Sequence, residues 1–474
     1  ALPPAQADWK NIKTPPLHNI NQPTPVRIQL ENGATIFLLP DSELPIVNIA
    51  VTVRGGMREE TADKLGLVSL YDQVWRTGGT KTRTGDQLDD LLALRAASIE
   101  TSADHNSVNL EAQSLKGDFD EILKLTMEVL REPEFREDKL ELARKQLYTE
   151  ISRRNDDPMG IVGRESTKLA LGPQHPYARH PEYSTVAGVT RQDLLSWHQR
   201  YVQPQNLLIG VQGDFDAKAM EQKLRGLLGA WPKGPTAKAP LPAYTPTKPG
   251  LFFIAKDDVN QSNIHLVQLG TTRRNPDHYA IAVMNEILGG GFAARLFSNV
   301  RSKKGLAYSV RGGVGIGDEV PNIYRLSVGT ASNNTAKALE ALYEEVNGML
   351  KNPPTEAELQ KAKEGILNSF VFKLDTSEKV LSDQMRLEFA GYPLDYTKTY
   401  ADQIRKVTLA EVNRVAKQYL NPTGFAVLVV GNPAELGAPI NTLTTAAPGL
   451  GQVQTVDINI PPPPAAAAPK TPGK

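Results

Sequence analysis

Apolar residues alternate with polar ones at Val26, Ile28 and Leu30, Asn32-Gly33 supplies a tight turn, and Ile36 and Leu38 resume the alternation. That period of two predicts a two-stranded opening. Ile46 to Val53 predicts the next strand, closed by Arg54-Gly55-Gly56, and Ile99 to Leu110 a strand pair. Helical spacing replaces the alternation from Gly66 to Trp75, before Gly78-Gly79-Thr80, and again from Glu141 to Arg154, where Ala143, Leu147 and Ile151 share a stripe. Farther on, Ala280, Val283, Met284, Ile287 and Leu288 form a stripe that Gly289, Gly290 and Gly291 stop. A short helix is predicted from Ala293 to Arg301, and a strand from Leu306 to Val310 with Leu306, Tyr308 and Val310 on one face.

The pattern repeats. TRQDLLSWHQRYVQPQNLLIGVQGDF from Thr190 matches TLAEVNRVAKQYLNPTGFAVLVVGNP from Thr408, with Tyr201 and Pro204 corresponding to Tyr419 and Pro422 at one constant offset. The helix starting at Leu140 likewise matches ELQKAKEGILNSF from Glu358. Between the copies, Trp231 to Gly250 holds six prolines and almost no apolar period, which marks a linker. At 474 residues the chain exceeds what one hydrophobic core usually serves. It divides into an N-terminal extension (1–25), a first domain (26–230), the Pro-rich linker (231–250), a second domain (251–435) and a Pro/Ala-rich tail (436–474). The tail is expected to be disordered, because its composition buries too little apolar surface. Strands and helices come in runs, not in strict βαβ order, so the expected fold is α+β: two tandem homologous domains, each a largely antiparallel sheet packed with helices.

Composition narrows the function. Lys plus Arg equals Asp plus Glu at 53 each, which removes any overall electrostatic attraction to nucleic acid and points to peptides or proteins as partners. No run approaches the apolar length of a membrane span, so none is expected. Cysteine is absent, which excludes disulfides and thiolate metal sites. The opening ALPPAQADWK lacks an initiator Met, as expected if a secretory signal had been removed, and the corresponding location is periplasmic or otherwise exported; an artificially trimmed start explains it equally.

The stretch LGGGFAARLFSNVRSKKGLAYSV, from Leu288 to Val310, joins a glycine turn, a short helix and a strand. A guanidinium and a phenol seven residues apart, Arg301 and Tyr308, can converge there on a carbonyl oxygen that gains negative charge, and a backbone without Cβ atoms lets a partner chain approach. This run resembles the second-half signature of the insulinase and pitrilysin group of zinc peptidases, the inverzincins, with a processing-peptidase-like metallohydrolase fold. The resemblance implies that Arg301 and Tyr308 act catalytically and, with Gly289, Gly290 and Gly291, bind the substrate. In that family the first-half helix carries H-x-x-E-H; here the matching positions are Ser69, Asp72 and Gln73, still on one helix face but with neither imidazole. Glu150 falls where the family has its third zinc ligand; a Glu beside an apolar stripe is equally a solvated or salt-bridged residue. His175 and His180 flank Pro176 in a loop resembling the family's HPY segment, and packing or hydrogen bonding is their expected role.

The expected function is thus a non-catalytic subunit of a two-chain zinc metallopeptidase. This chain would hold no metal cofactor; a zinc-bearing homologous partner would complete a heterodimer around one peptide substrate. The alternative is a peptidase-like scaffold or peptide-binding protein without proteolytic role, which leaves Arg301 and Tyr308 without a use. A stand-alone hydrolase with another nucleophile finds no support, since there is no Cys and no G-x-S-x-G elbow.

Overall fold

Val47, Ile49, Val51 and Val53 are buried and the residues between them are not, so the predicted third strand lays one face on a core. The computed structural model describes residues 23–235, 241–245 and 248–464. Most of the N-terminal extension and parts of the linker and tail lie outside them. The first sheet contains β1 (Val26–Gln29), β2 (Thr35–Pro40), β3 (Ile46–Arg54), β4 (Ser98–Ala103), β5 (Ser107–Leu115) and β6 (Leu207–Gly213), in the order β1-β2-β6-β3-β5-β4. Its pairs are antiparallel except β2 with β6.

The second half repeats the plan. Its strands are β7 (Gly250–Ala255), β8 (Gln261–Leu269), β9 (Thr271–Thr272), β10 (Ser309–Gly313), β11 (Ile316–Gly317), β12 (Ile323–Ala331), β13 (Ala426–Gly431) and β14 (Val453–Thr455). Six of them form a sheet ordered β10-β12-β8-β13-β7-β14, while β9 and β11 pair separately. Read from the other end, β7, β13, β8, β12 and β10 take the places of β2, β6, β3, β5 and β4. The duplication extends to local chemistry: Thr190 with Asp193, and Thr408 with Glu411, form equivalent capping boxes at the helices Arg191–Tyr201 and Leu409–Tyr419 that lead into β6 and β13.

The two halves exchange helices. Helix Pro158–Leu171 of the first half lays Ile161 and Val162 against Ile254, Leu428 and Val430 of the second sheet. Helix Ser377–Ala390 of the second half lays Leu381 and Met385 against Phe37, Leu39 and Leu208 of the first. This is why β13 along its whole length, and β6 as far as Val211, are apolar and buried on both faces. Each such side chain taken from water contributes about 1.5–3 kcal/mol, so neither half can leave the other without exposing two apolar surfaces.

Three expectations need correction. The tail is not disordered between 436 and 464: Leu443, Ala446, Ala447 and Leu450 are buried in the second core, and β14 adds to the sheet parallel to β7. Beyond β14, Val456 and Ile458 pack on the exchanged helix, and Asn155 Nδ2 donates to the Ile458 carbonyl at 2.7 Å. Enough apolar residues precede the proline run to dock it, and the composition of the last residues concealed them. Gly289 and Gly290 do not follow their helix but lie inside it, in a wide last turn, Glu286–Gly290, that continues His278–Asn285. The strand predicted from Leu306 begins instead at Ser309 (β10), because Gly305 turns at φ +65° and the Leu306 amide is held by the Val300 carbonyl.

Candidate functional site

Two places concentrate the candidate residues. The first is helix Leu67–Thr77, which follows Gly66 at φ 97°. The Glu60 carboxylate accepts from the amides of Gly66 (3.1 Å) and Val68 (2.7 Å), satisfying donors that the helix start leaves free. Burial raises the Glu60 carboxyl to about 7, although these amides and Arg179 oppose the shift. Leu67, Val68, Leu70, Tyr71, Val74 and Trp75 face the core, where the Tyr71 hydroxyl meets His198 Nδ1 at 2.8 Å. Burial drives His198 down to about 3, so it is neutral.

Ser69, Asp72 and Gln73 are left together on the half-buried face, as the spacing requires. Thr101 of β4 donates to the Asp72 carbonyl at 2.8 Å, setting this face beside the last strand of the first sheet. Asp72 Oδ1 and Gln73 Oε1 are both buried without a hydrogen-bond partner, and burial raises the Asp72 carboxyl. Glu150, on helix Glu137–Arg153, is exposed. These residues do not fit zinc: a hydroxyl, an amide and one short carboxylate cannot stand for two imidazoles and their companions. Among the described residues, no cluster of three or more His, Asp or Glu side chains could hold a metal ion.

The second place is the surface around helix Leu296–Lys303, which also has wide turns. Its inner side is pinned: Leu296 and Val300 are buried, and Asn299 Nδ2 donates to Glu345 at 2.9 Å. Just before it, Arg295 grips Glu358 with two bonds of 2.7 and 2.9 Å, which hold that carboxyl down at about 2. The outer side carries Phe297 and Arg301. The Arg301 guanidinium stands 4.7 Å from the Phe297 ring centre and 6.0 Å from that of Tyr308. Tyr308 is 78% exposed, and neither side chain has a hydrogen bond or ion pair among the described residues. The sequence placed Arg301 and Tyr308 together correctly, but missed Phe292. That ring is 82% exposed and meets Phe297 edge-on at 5.0 Å, so that Phe292, Phe297, Arg301 and Tyr308 form one outward ridge.

The glycines divide. A Cβ at Gly289 would lie 2.7 Å from the Gly312 nitrogen and 2.8 Å from Leu296, so this glycine serves the packing of the helix end on β10. At Gly290 and Gly291 the nearest neighbour is the Glu286 carboxylate, whose pKa burial raises. No hydrogen bond, ion pair or ring contact joins Arg301 or Tyr308 to Ser69, Asp72, Gln73 or Glu150 among the described residues. His175 and His180 serve locally: His175 accepts from the Tyr177 amide and stacks on Tyr244, and burial lowers His180 to about 4.

Comparison with known proteins bears on both halves. Residues 36–170 match the family model Insulinase (Peptidase family M16), and residues 188–366 match Peptidase M16 inactive domain. An uncharacterized zinc protease of Mycobacterium leprae is 27% identical over 80% of this chain and 86% of its own length. The non-peptidase homolog YmxG of Helicobacter pylori is 24% identical over 82% of this chain and 90% of its own. The crystal structure of a peptidase M16 inactive domain from Pseudomonas fluorescens superposes with a TM-score of 0.78 at 24% identity, covering 86% of this chain and 98% of that one, and so shares the fold. The insulinase model on the first half, the inactive-domain model on the second and the duplicated sheets that carry them place this chain in peptidase family M16.

Proposed function

We propose that this chain is the non-catalytic subunit of a two-chain zinc peptidase, with Arg301 and Tyr308 presented to a peptide held at the zinc of a homologous partner. The observation that carries this reading is the outward ridge. A guanidinium and a phenol without hydrogen-bond or ion-pair partners among the described residues stand on, and just after, a helix pinned from below, while the first-half helix offers no metal-ligand set. Hydrogen-bond donors prepositioned in this way suit a carbonyl that becomes an oxyanion. The name of the Helicobacter pylori relative, a non-peptidase homolog, supports loss of independent activity.

One observation favours a peptide-binding scaffold instead. The partnerless acceptors of Asp72 and Gln73 lie beside β4, the last strand of its sheet, where an extended peptide could pair without being cut. The same experiment separates the readings: the chain is mixed with a zinc-bearing homologous subunit and peptide cleavage is measured. The two-chain reading expects the assembled pair to cleave faster than the zinc-bearing subunit alone. An assembled pair with no gain in rate leaves the scaffold.

A further inference from the structure

The seam between the halves holds two adjoining cavities of about 420 and 450 Å³, which share Asn106, Glu319, Phe389 and Ala390. Most charges around them are already matched. Glu319 pairs with Arg58 at 2.9 Å, Asp318 with Arg273 at 2.6 Å, and Arg386 with Asp383 at 2.8 Å. Arg54 and Arg274 donate to the carbonyls of Phe389 (2.6 Å) and Ala390 (3.0 Å), at the end of helix Ser377–Ala390 where the backbone dipole favours a cation.

Arg325 is the exception. It lies on β12 in the wall of the 420 Å³ cavity, has no ion pair or side-chain hydrogen bond among the described residues, and its Nε is buried without a partner. The charge near it is of the same sign: β10 pairs with β12 so that Arg311 falls diagonally beside Arg325 on one face. Burial, aided by both cations, pushes the neighbouring His265 down to about 3, which leaves it neutral. His105 lines the same cavity, and its Nδ1 is likewise buried without a partner. A guanidinium partly withdrawn from water without a counter-charge is costly, and a cavity lined by it offers room for an anionic group that would supply the charge.

We propose that this seam cavity binds a small organic carboxylate, whose charged group pairs with the Arg325 guanidinium on the wall that also carries His105. Its volume falls within the usual range for small-molecule sites, and Tyr177 and Phe389 supply ring surface for the uncharged part of the ligand. The site lies wholly within one chain and does not depend on a partner subunit.

The test uses the full chain, with trialanine as the free acid, trialanine as its C-terminal amide, and inorganic phosphate as probes in calorimetric titration. The free acid is expected to bind, with the amide weaker by roughly ten-fold or more. Arg325→Gln is expected to weaken the acid by a similar factor and leave the amide unchanged. Without ligand, Arg325→Gln should melt no lower than the wild type, because it removes an unpaired charge, and this shows that the variant is folded. No binding of the acid, equal binding of acid and amide, or equal binding by wild type and variant would overturn the proposal. Phosphate binding as tightly as the acid would overturn the assignment of an organic ligand.

Discussion

Tyr308→Phe and Arg301→Ala separate a role in chemistry from a role in packing, because the structure bounds what each change can cost the fold. Tyr308 is 78% exposed and its hydroxyl has no hydrogen-bond partner among the described residues, so its loss should change stability by no more than about 0.5 kcal/mol. Arg301 loses its contacts with the Phe297 and Tyr308 rings, worth about 0.5–1 kcal/mol each at an exposed site. Removing one donor to an oxyanion costs far more, about 2.7–4 kcal/mol or 10²–10³ in rate. In a complex reconstituted with a zinc-bearing homologous subunit, Tyr308→Phe is expected to lower kcat by roughly 10² with KM little changed. Arg301→Ala should also raise KM, since a guanidinium can hold a backbone carbonyl in the ground state too. Turnover and melting are measured on complexes shown by size exclusion to be fully assembled. Wild-type turnover from both variants, or a rate loss that follows lost assembly, would refute the shared-site reasoning.

Further outcomes follow from other parts of the molecule. Elemental analysis of the dialysed chain should find no stoichiometric zinc, whereas Ser69→His, Asp72→Glu and Gln73→His together should recover it; an added Glu150→Ala change without effect on affinity would remove Glu150 from the site. Deleting residues 453–474 removes β14 and the Val456 and Ile458 contacts, and should lower stability in urea titration by about 3 kcal/mol. His198 and His265 are held near 3 by burial but titrate near 6.5 once unfolded, so the unfolded chain binds more protons between those values and stability falls as the pH drops from 6.5. The pair contributes roughly 3 kcal/mol per pH unit to this slope, and His265→Gln should reduce the measured slope by about 1.4 kcal/mol per pH unit.

The opening strands, the duplicated plan and the two chemical stretches were legible because each leaves a local trace. A period of two wrote β3, repeated landmarks wrote the second domain, and helical spacing alone placed Ser69, Asp72 and Gln73 on one face. Family resemblance then told what those positions lack. Other features depend on distant contacts and leave no such trace. Gly289 reads as an open glycine turn until Gly312 is set against it, and residues 443–458 read as a tail until the second core and the exchanged helix receive them. The helix exchange itself was invisible, since an amphipathic stripe records that it must be buried but not against which sheet. Arg325 likewise carries no mark in the sequence; only the packed structure leaves its Nε buried without a partner while the nearby Asp318 pairs with Arg273. Sequence determines what a segment needs, whether burial, a cap or a counter-charge. Tertiary structure decides which group supplies it, because the supplier lies far along the chain.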